Sequence, residues 1–247
     1  MIRDLVRFYR EAPGLTTSVG SAHDSLSLGE LLERYSYGRA FRDDHLLPMA
    51  AAIWSAPTQR LLDFPAESFI RFCDNHGLLK LSDRPQWRTV VGGSRSYVKR
   101  LTRQYADRVR LNRGVRSVQR FADAVQLTDV TGRIETFDHV VIATHADQAL
   151  ALLNDSSPAE ANLLASFRYE RNDAYLHTDT ALMPKRRAAW SSWNYLGDRG
   201  IVASQKLCVT YWMNMLQGIE TDQPVFLTLN PVRPPRAGTV LHAEIYQ

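Results

Sequence analysis

Through the first third of the chain the apolar residues recur every three or four positions, the period of helices with one buried face. Ser27 and Glu30 stand three apart just before Leu31 and Leu32, a capping-box spacing that predicts a helix start. A second helical stretch runs from about Phe41 to Trp54, with Pro48 expected to kink or restart it. A third has Pro65 near its first turn, Phe69 and Phe72 on one side, and Gly77 as its C-cap.

The pattern then shortens. Trp87–Val91 reads as a strand-like run ending in Gly92-Gly93, and Ser94 is placed to cap a helix on which Val98, Leu101 and Tyr105 recur. Short strand-like runs follow at Val109–Leu111, Val115–Phe121, Val125–Thr128, Ile134–Phe137 and Val140–Ala143, with Asp129-Val-Thr-Gly132 as a hairpin turn. These predict a small meander that finishes in a buried strand at 140–143, then a helix from about Asp147. Another helix start is marked by Ser157-Pro158 with Glu160 behind it. Beyond Arg168 the strand candidates are Ala174–Thr178, Ala189–Tyr195, Leu207–Met213, Val225–Leu229 and Val240–Tyr246. In the third of these, Val209, Tyr211 and Met213 alternate with Cys208, Thr210 and Trp212, as a two-faced antiparallel strand requires. The last run reaches the C-terminus with no turn behind it, which suggests that the natural chain continues.

The fold class expected from this order is α+β: helices packed on an antiparallel or mixed sheet, with a β-meander. Composition narrows the rest. A chain of 247 residues that is 45% hydrophobic and 23% charged is globular, not disordered. No run approaches the ~18 apolar residues of a membrane span. The charged start, MIRDLVRFYREAPG, lacks a signal-peptide core. Cys73 and Cys208 cannot build a disulfide framework, so a cytoplasmic location is expected. The net charge of +4 is uneven: Lys99 to Arg120 holds eight basic residues and one acid, giving +7 there and −3 elsewhere.

Four clusters could carry chemistry. Cys73 and His76 have a metal-ligand spacing, yet no further ligands are close in sequence, so a helix end with a buried thiol is the simpler reading. Asp43-Asp44-His45 joins two carboxylates to an imidazole, but general acid–base work needs them to converge in a pocket; an exposed helix start is simpler. The basic segment 99–120 could be the solvated face of a sheet, a groove for a phosphorylated cofactor or acidic partner, or a nucleic-acid surface. Trp190, Trp193, Tyr195, Tyr211 and Trp212 fall on neighbouring strands, with Trp54 on an earlier helix; as core they only pack, as a group they can wall a pocket for a flat or apolar ligand.

Longer strings resemble a known family. They are WSAP (Trp54 to Pro57), NHGLL (Asn75 to Leu79), RPQWRTVVGGSRSYVKRL (Arg84 to Leu101), FDHVVIATHADQALALL (Phe137 to Leu153), LHTDTALMP (Leu176 to Pro184), WSSWNY (Trp190 to Tyr195), TYWMNMLQ (Thr210 to Gln217) and TLNP (Thr228 to Pro231). They are similar to predicted NAD/FAD-binding proteins of the flavin-containing amine oxidase superfamily. The resemblance implies a helical part of a substrate domain at 1–85, a partial FAD-binding domain at 86–155 and the sheet part of the substrate domain at 156–247.

It also implies site residues. Gly92 and Gly93 form the double-glycine turn before the FAD domain's meander. Val115, in GVRSV, would turn its backbone N–H and C=O toward the adenine. Trp193, Asn194 and Tyr211 would line the substrate pocket, and His177 is the one candidate acid or base. The activity implied is an FAD-dependent oxidoreductase removing a hydride from an apolar or acyl-chain small molecule, with a homodimer possible and no nucleic acid expected. The alternative is a binding module that uses 99–120 for an acidic partner or nucleic acid. Family members carry a Gly-rich phosphate-binding turn at the start and a second Gly-rich segment at the end. This sequence contains neither, so it is expected to be an internal fragment that is inactive and does not retain FAD alone.

Overall fold

The computed structural model describes residues 1–15, 26–54, 58–197 and 208–246. They form two compact units, one from residues 1–93 and 172–246 and one from 94–171.

The first unit opens with helices α1 (Ile2–Leu15), α2 (Leu28–Arg34), α3 (Arg39–Phe41), α4 (Leu47–Trp54), α5 (Thr58–Leu62) and α6 (Ala66–Asn75). Local chemistry sets their ends. Ser27 Oγ accepts the Glu30 N–H at 3.2 Å while the Glu30 carboxylate accepts the Ser27 N–H at 2.8 Å, so the capping box is complete. α6 ends in a Schellman turn: Leu78 N–H reaches Cys73 O at 2.8 Å and Gly77 N–H reaches Asp74 O at 2.9 Å. Gly77 has φ 63°, and a Cβ there would stand 2.6 Å from Pro85 Cδ, so glycine is required. Pro48 does not kink a continuous helix. It has no N–H to give Asp44 O, and the turn before it widens into a π-segment, Arg42–Leu46, in which Leu47 N–H bonds to Arg42 O.

The helices share one core. Phe8 and Phe41 are fully buried, and the Phe8, Tyr37 and Phe41 rings meet at 5.4 to 5.5 Å. Trp54 packs on Phe64, Phe69 and Phe72, the last at 4.5 Å. Val209 and Tyr211 from the sheet join this cluster, so the helices cover one face of it.

That sheet has five strands in the order Trp193–Leu196, Cys208–Trp212, Phe226–Leu229, Asn172–His177 and Val240–Tyr246, all neighbours antiparallel. The strands are β4 (Asn172–His177), β5 (Trp193–Leu196), β6 (Cys208–Trp212), β7 (Phe226–Leu229) and β8 (Val240–Tyr246), with α10 (Met213–Gln217) after β6. Of the strand candidates, Ala189 instead closes a short 3-10 turn, Arg187–Ala189, and Leu207 lies outside the described residues.

The second unit holds α7 (Ser94–Thr102), a meander of β1 (Val115–Arg120), β2 (Val125–Asp129) and β3 (Ile134–Phe137), then α8 (Ala146–Leu152) and α9 (Pro158–Ala165). Asp129 O accepts from Gly132 N–H at 2.9 Å, closing the expected hairpin, and Gly132 has φ 84°. Ser157 and Glu160 complete a second capping box. Arg120 ties the meander to the helices, reaching Asp155 at 3.1 Å and Glu160 at 2.6 Å.

Three strand expectations fail. Trp87–Val91 is exposed and unpaired, Val109–Leu111 is irregular chain leading into a turn, and 140–143 is not a strand, with Val141 91% exposed. A strand exists only through a neighbour, and none of these runs has one among the described residues.

Truncating the shared core tests its weight. Phe41→Ala should cost about 3–5 kcal/mol of unfolding free energy in denaturant melts, whereas Leu101→Ala on exposed α7 should stay within about 0.5 kcal/mol.

Candidate functional site

Alternation along each strand gives the five-stranded sheet two chemically different faces. Cross-strand partners Asn194–Thr210, Thr210–Thr228 and His177–Phe226 put one set of side chains together. Partners Trp193–Tyr211, Tyr195–Val209 and Val209–Leu229 put the other set on the helix-covered face.

The first face carries a buried hydrogen-bond chain whose direction is fixed by its ends. The Asp179 backbone N–H donates to His177 Nδ1 at 3.0 Å, so the neutral ring keeps its proton on Nε2. Nε2–H then donates to Thr228 Oγ1 at 2.7 Å. Thr210 Oγ1 donates to Leu182 O at 3.1 Å, which leaves the Thr228 hydroxyl to donate to Thr210 at 2.8 Å. His177, Thr210 and Thr228 are fully buried. Asn194 completes the layer, its amide N–H groups reaching Ser191 O at 2.6 Å and Thr210 O at 3.2 Å, while its oxygen accepts from Ser191 N–H.

Burial lowers the His177 pKa, against a weaker upward pull from Asp179. Asp179 itself is fully buried. Burial alone would raise its carboxyl, but the N–H groups of Ala181 and Arg236 and the guanidinium groups of Arg236 and Arg233 hold it below its ordinary value.

The aromatic group predicted from sequence is divided between these faces. Trp190 and Trp212 meet edge-on at 5.5 Å beside Phe226 on the polar-chain side, with Arg187 stacked 3.7 Å over Trp190. Trp193 and Tyr211 meet edge-on at 5.5 Å on the opposite side. Trp193 and Tyr195 sit on β5, the sheet's edge strand, and remain 45% and 39% exposed. Tyr195 folds its ring over Gly197, where a Cβ would lie 2.5 Å from the phenol oxygen. Thus Trp193 and Tyr211 share a surface, whereas Asn194 and His177 lie behind it with their polar atoms engaged.

The other predicted residues fall elsewhere. Gly92 and Gly93, with φ 79° and 75°, form a turn at the end of the first unit's N-terminal segment. Val115, in the second unit, opens β1, the edge strand of the meander. A bulge follows it: Val115 pairs with Asp129 but Ser117 with Thr128, which leaves Arg116 off the ladder. Farther along, the outer edge of β1 is occupied, Val118 O accepting from Asn154 N–H at 3.0 Å and Arg120 N–H reaching Asp155 at 2.9 Å. Val115 also lines an open groove of about 550 Å³ with Arg108, Leu127 and Phe137.

The remaining candidates have local roles. His45 bonds to Tyr9 at 3.2 Å and Asp43 pairs with Arg42. His76 stacks on Phe72, and burial pushes the Cys73 thiol up to about 12. Among the described residues no group of three or more His, Cys, Asp or Glu stands together to hold a metal. Within the basic segment, Arg110 pairs with Glu135, Arg113 with Asp129 at 2.9 Å, and Arg120 with two acids. Sequence reasoning missed Asp179 and the two threonines; alternation in β6 and β7 carried the signal for the threonines, but their partners are distant in sequence.

Comparison with known proteins places this fold. Residues 20–201 match the family described as flavin containing amine oxidoreductase. The chain belongs to that family. A putrescine oxidase variant matches with TM-score 0.65 at 15% identity over 93% of this chain and 51% of its own. A CLA-producing fatty acid isomerase from P. acnes matches with TM-score 0.64 at 11% identity, over 98% of this chain and 62% of its own. Cyclohexylamine oxidase from Brevibacterium oxydans IH-35A matches with TM-score 0.62 at 14% identity, over 100% of this chain and 60% of its own. The chain therefore spans half to about three-fifths of these structures. A search of curated proteins finds none that matches. No described helix is long and apolar enough to cross a membrane.

The buried imidazole makes stability depend on pH. A His whose folded pKa is depressed contributes fully above its unfolded value of about 6.5 and loses that contribution as pH falls below it. Unfolding free energy should therefore drop on going from neutral pH to pH ~5, and His177→Gln should remove part of that slope. His45, also lowered by burial and by the charge of Arg84, supplies another part. A slope unchanged in His177→Gln would contradict the downward shift that burial gives His177. Thr228→Val, which strands the Nε2–H, should cost about 1–3 kcal/mol.

Proposed function

We propose that this chain supplies the substrate-domain framework and part of the FAD domain of an FAD-dependent oxidoreductase acting on an apolar or acyl-chain substrate. The observation that carries the reading is the family match over residues 20–201, joined to the edge-on Trp193–Tyr211 ring pair on the first unit, with Trp193 half exposed and Tyr211 packed against the helices. In this reading the first unit is the substrate domain. The second unit holds the meander of the FAD domain, with the cofactor expected in the complete enzyme.

The residues present fit an adenine at one place. The edge of β1 at Val115 has no strand beside it among the described residues, and the bulge at Arg116 interrupts the ladder there. Val115 would hold the ring through its backbone N–H and C=O, with the Gly92-Gly93 turn as a further site of close approach. Flavin, when bound, supplies the hydride acceptor. The chain's own contribution is orientation and exclusion of water. Trp193 and Tyr211 present ring faces and edges to an apolar substrate, and burial raises the Tyr211 pKa, keeping its phenol neutral. His177 serves as a framework group in this scheme, because both ring nitrogens already have partners.

The binding-module reading has less support: three of the arginines in 99–120 pair with acids of the same unit. The putrescine oxidase and the fatty acid isomerase among the similar structures make amines and acyl chains the two substrate classes to compare. We favour the acyl chain, since Trp193 and Tyr211 offer it apolar ring surface.

FAD titration of this chain, followed through the flavin absorbance bands, should show weak or no retention. A tight stoichiometric complex would refute that part. Where the rest of the family's fold is supplied, Val115→Pro, which removes the N–H, should weaken FAD binding by at least about tenfold, whereas Val115→Ala should leave it nearly unchanged. Flavin reduction by primary amines and none by acyl lipids would overturn the acyl-chain assignment.

A further inference from the structure

The polar face of the five-stranded sheet is covered by two loop segments, 178–192 and 231–239. The first lies over the hydroxyl chain, with Leu182 O accepting from Thr210 Oγ1 at 3.1 Å. The second is drawn onto the first by Asp179, which takes the Arg236 N–H at 3.0 Å, the Arg236 guanidinium at 3.1 Å and Arg233 at 3.8 Å. Together these segments hold five cations, Lys185, Arg186, Arg187, Arg233 and Arg236, and one acid, the buried Asp179.

A continuous path of contacts joins the five into one patch. Arg187 lies 3.7 Å over Trp190 and 4.6 Å over Trp212. Trp190 meets Phe226 at 5.5 Å and Phe226 meets His177 at 5.6 Å. His177 Nδ1 accepts the N–H of Asp179, which clasps Arg233 and Arg236. That path crosses only the neighbouring strands β6, β7 and β4, about 10 Å of sheet. Lys185 and Arg186 directly precede Arg187 and are exposed, and none of the three makes an ion pair among the described residues. The exposed acids Glu220 and Asp222, on the loop before β7, pair with none of the five. Asp179 stands at the far end of β4 from Asn172, where the chain re-enters this unit, about 20 Å along the strand. In the flavoenzyme reading the Gly-rich segments that this sequence lacks belong to the FAD domain, whereas the patch belongs to the substrate domain.

We propose that this patch docks the substrate domain on an anionic lipid surface, with Lys185, Arg186 and Arg187 against headgroup phosphates. A guanidinium stacked on a ring keeps its N–H edge free, and its fork matches phosphate oxygens. Being already held, Arg187 loses little further freedom on binding. The rings beneath it are covered by the guanidinium, so they offer no platform on which the bases of a nucleic acid could stack. The choice of lipid rests on the acyl-chain reading, since such a substrate resides in a lipid phase. Arg233 and Arg236 stay committed to Asp179 and add only their field. Attraction to the negative surface potential of such a membrane is screened by salt.

Co-sedimentation of the 247-residue chain with vesicles tests it. The chain should bind vesicles containing phosphatidylglycerol, release them as salt rises, and bind pure phosphatidylcholine vesicles at least about tenfold more weakly. Lys185→Glu with Arg186→Glu should cut binding to the anionic vesicles at least about tenfold. Neither side chain has an ion-pair partner to lose, and an unchanged thermal melt checks the fold. Lys99→Glu with Arg103→Glu, an equal change of charge made on and just after α7, should leave most of the binding in place. Absence of binding to anionic vesicles overturns the proposal. Equal losses in the two variants overturn it too, because net charge alone would then account for the binding. Inorganic phosphate or an oligonucleotide bound through Lys185 and Arg186, with vesicles left unbound, would overturn it in favour of a soluble phosphate compound or nucleic acid. The flavin assay fails separately: reduction by amines would remove the acyl-chain reading without altering vesicle binding, and absent vesicle binding would leave that assay standing.

Discussion

The first unit depends on one line of hydrogen bonds running across three strands: His177 on β4 to Thr228 on β7 to Thr210 on β6, ending on Leu182 O. Every donor in it has one acceptor, and each group is buried, so no register other than the observed one satisfies it. A slip of one residue would turn the threonines toward the helices and Val209 toward the polar layer, leaving unpaired hydroxyls in an apolar core. The apolar side of β6 enforces the same answer independently, because Val209 is packed in the helical cluster. Two requirements, polar satisfaction on one face and apolar burial on the other, agree on a single register.

The position of Trp193 and Tyr211 follows from that register. They are adjacent on β5 and β6 because Asn194 is opposite Thr210, and Asn194 is held by its own amide bonds. Trp193 is half exposed because β5 is the sheet's edge strand. A binding surface on a rigid sheet edge is more closely defined than one on a loop. The Asp179 clasp has a related effect. By drawing in the Arg236 N–H and guanidinium, it anchors the loop before β8 to the segment after β4, and its own N–H fixes the tautomer of His177.

Much of this architecture was legible in the sequence wherever the determining partners are close together. Ser27 with Glu30, Ser157 with Glu160, Gly77, and Asp129 with Gly132 each act within a few residues, and each forms the expected cap or turn. Strands were legible as existing but not always as paired. The run at 140–143 has the composition of a buried strand yet lacks a neighbour, and composition cannot supply one. The site was harder still. Thr228 is 51 residues from His177, and no spacing rule links them. Trp193 and Asn194 could not both face one pocket if they lay on a regular strand, a conclusion available from alternation alone once β5 is accepted as a strand.

Val115 marks where residue chemistry stops informing and resemblance has to take over. Recognition through a backbone N–H and C=O leaves no trace in side-chain identity, because any residue except proline offers the same pair. What makes one backbone position available and its neighbours not is topology: an edge strand, no strand alongside, and other groups occupying the edge farther on. Val118 and Arg120 already bond along that edge to Asn154 and Asp155, so in the proposed reading the stretch beginning at Val115 is the part of the edge that an adenine would meet. A bulge beside it adds a local bend that a continuous ladder would not allow. The valine is therefore interchangeable as a side chain, and the selectivity of such a site belongs to the shape of the sheet edge.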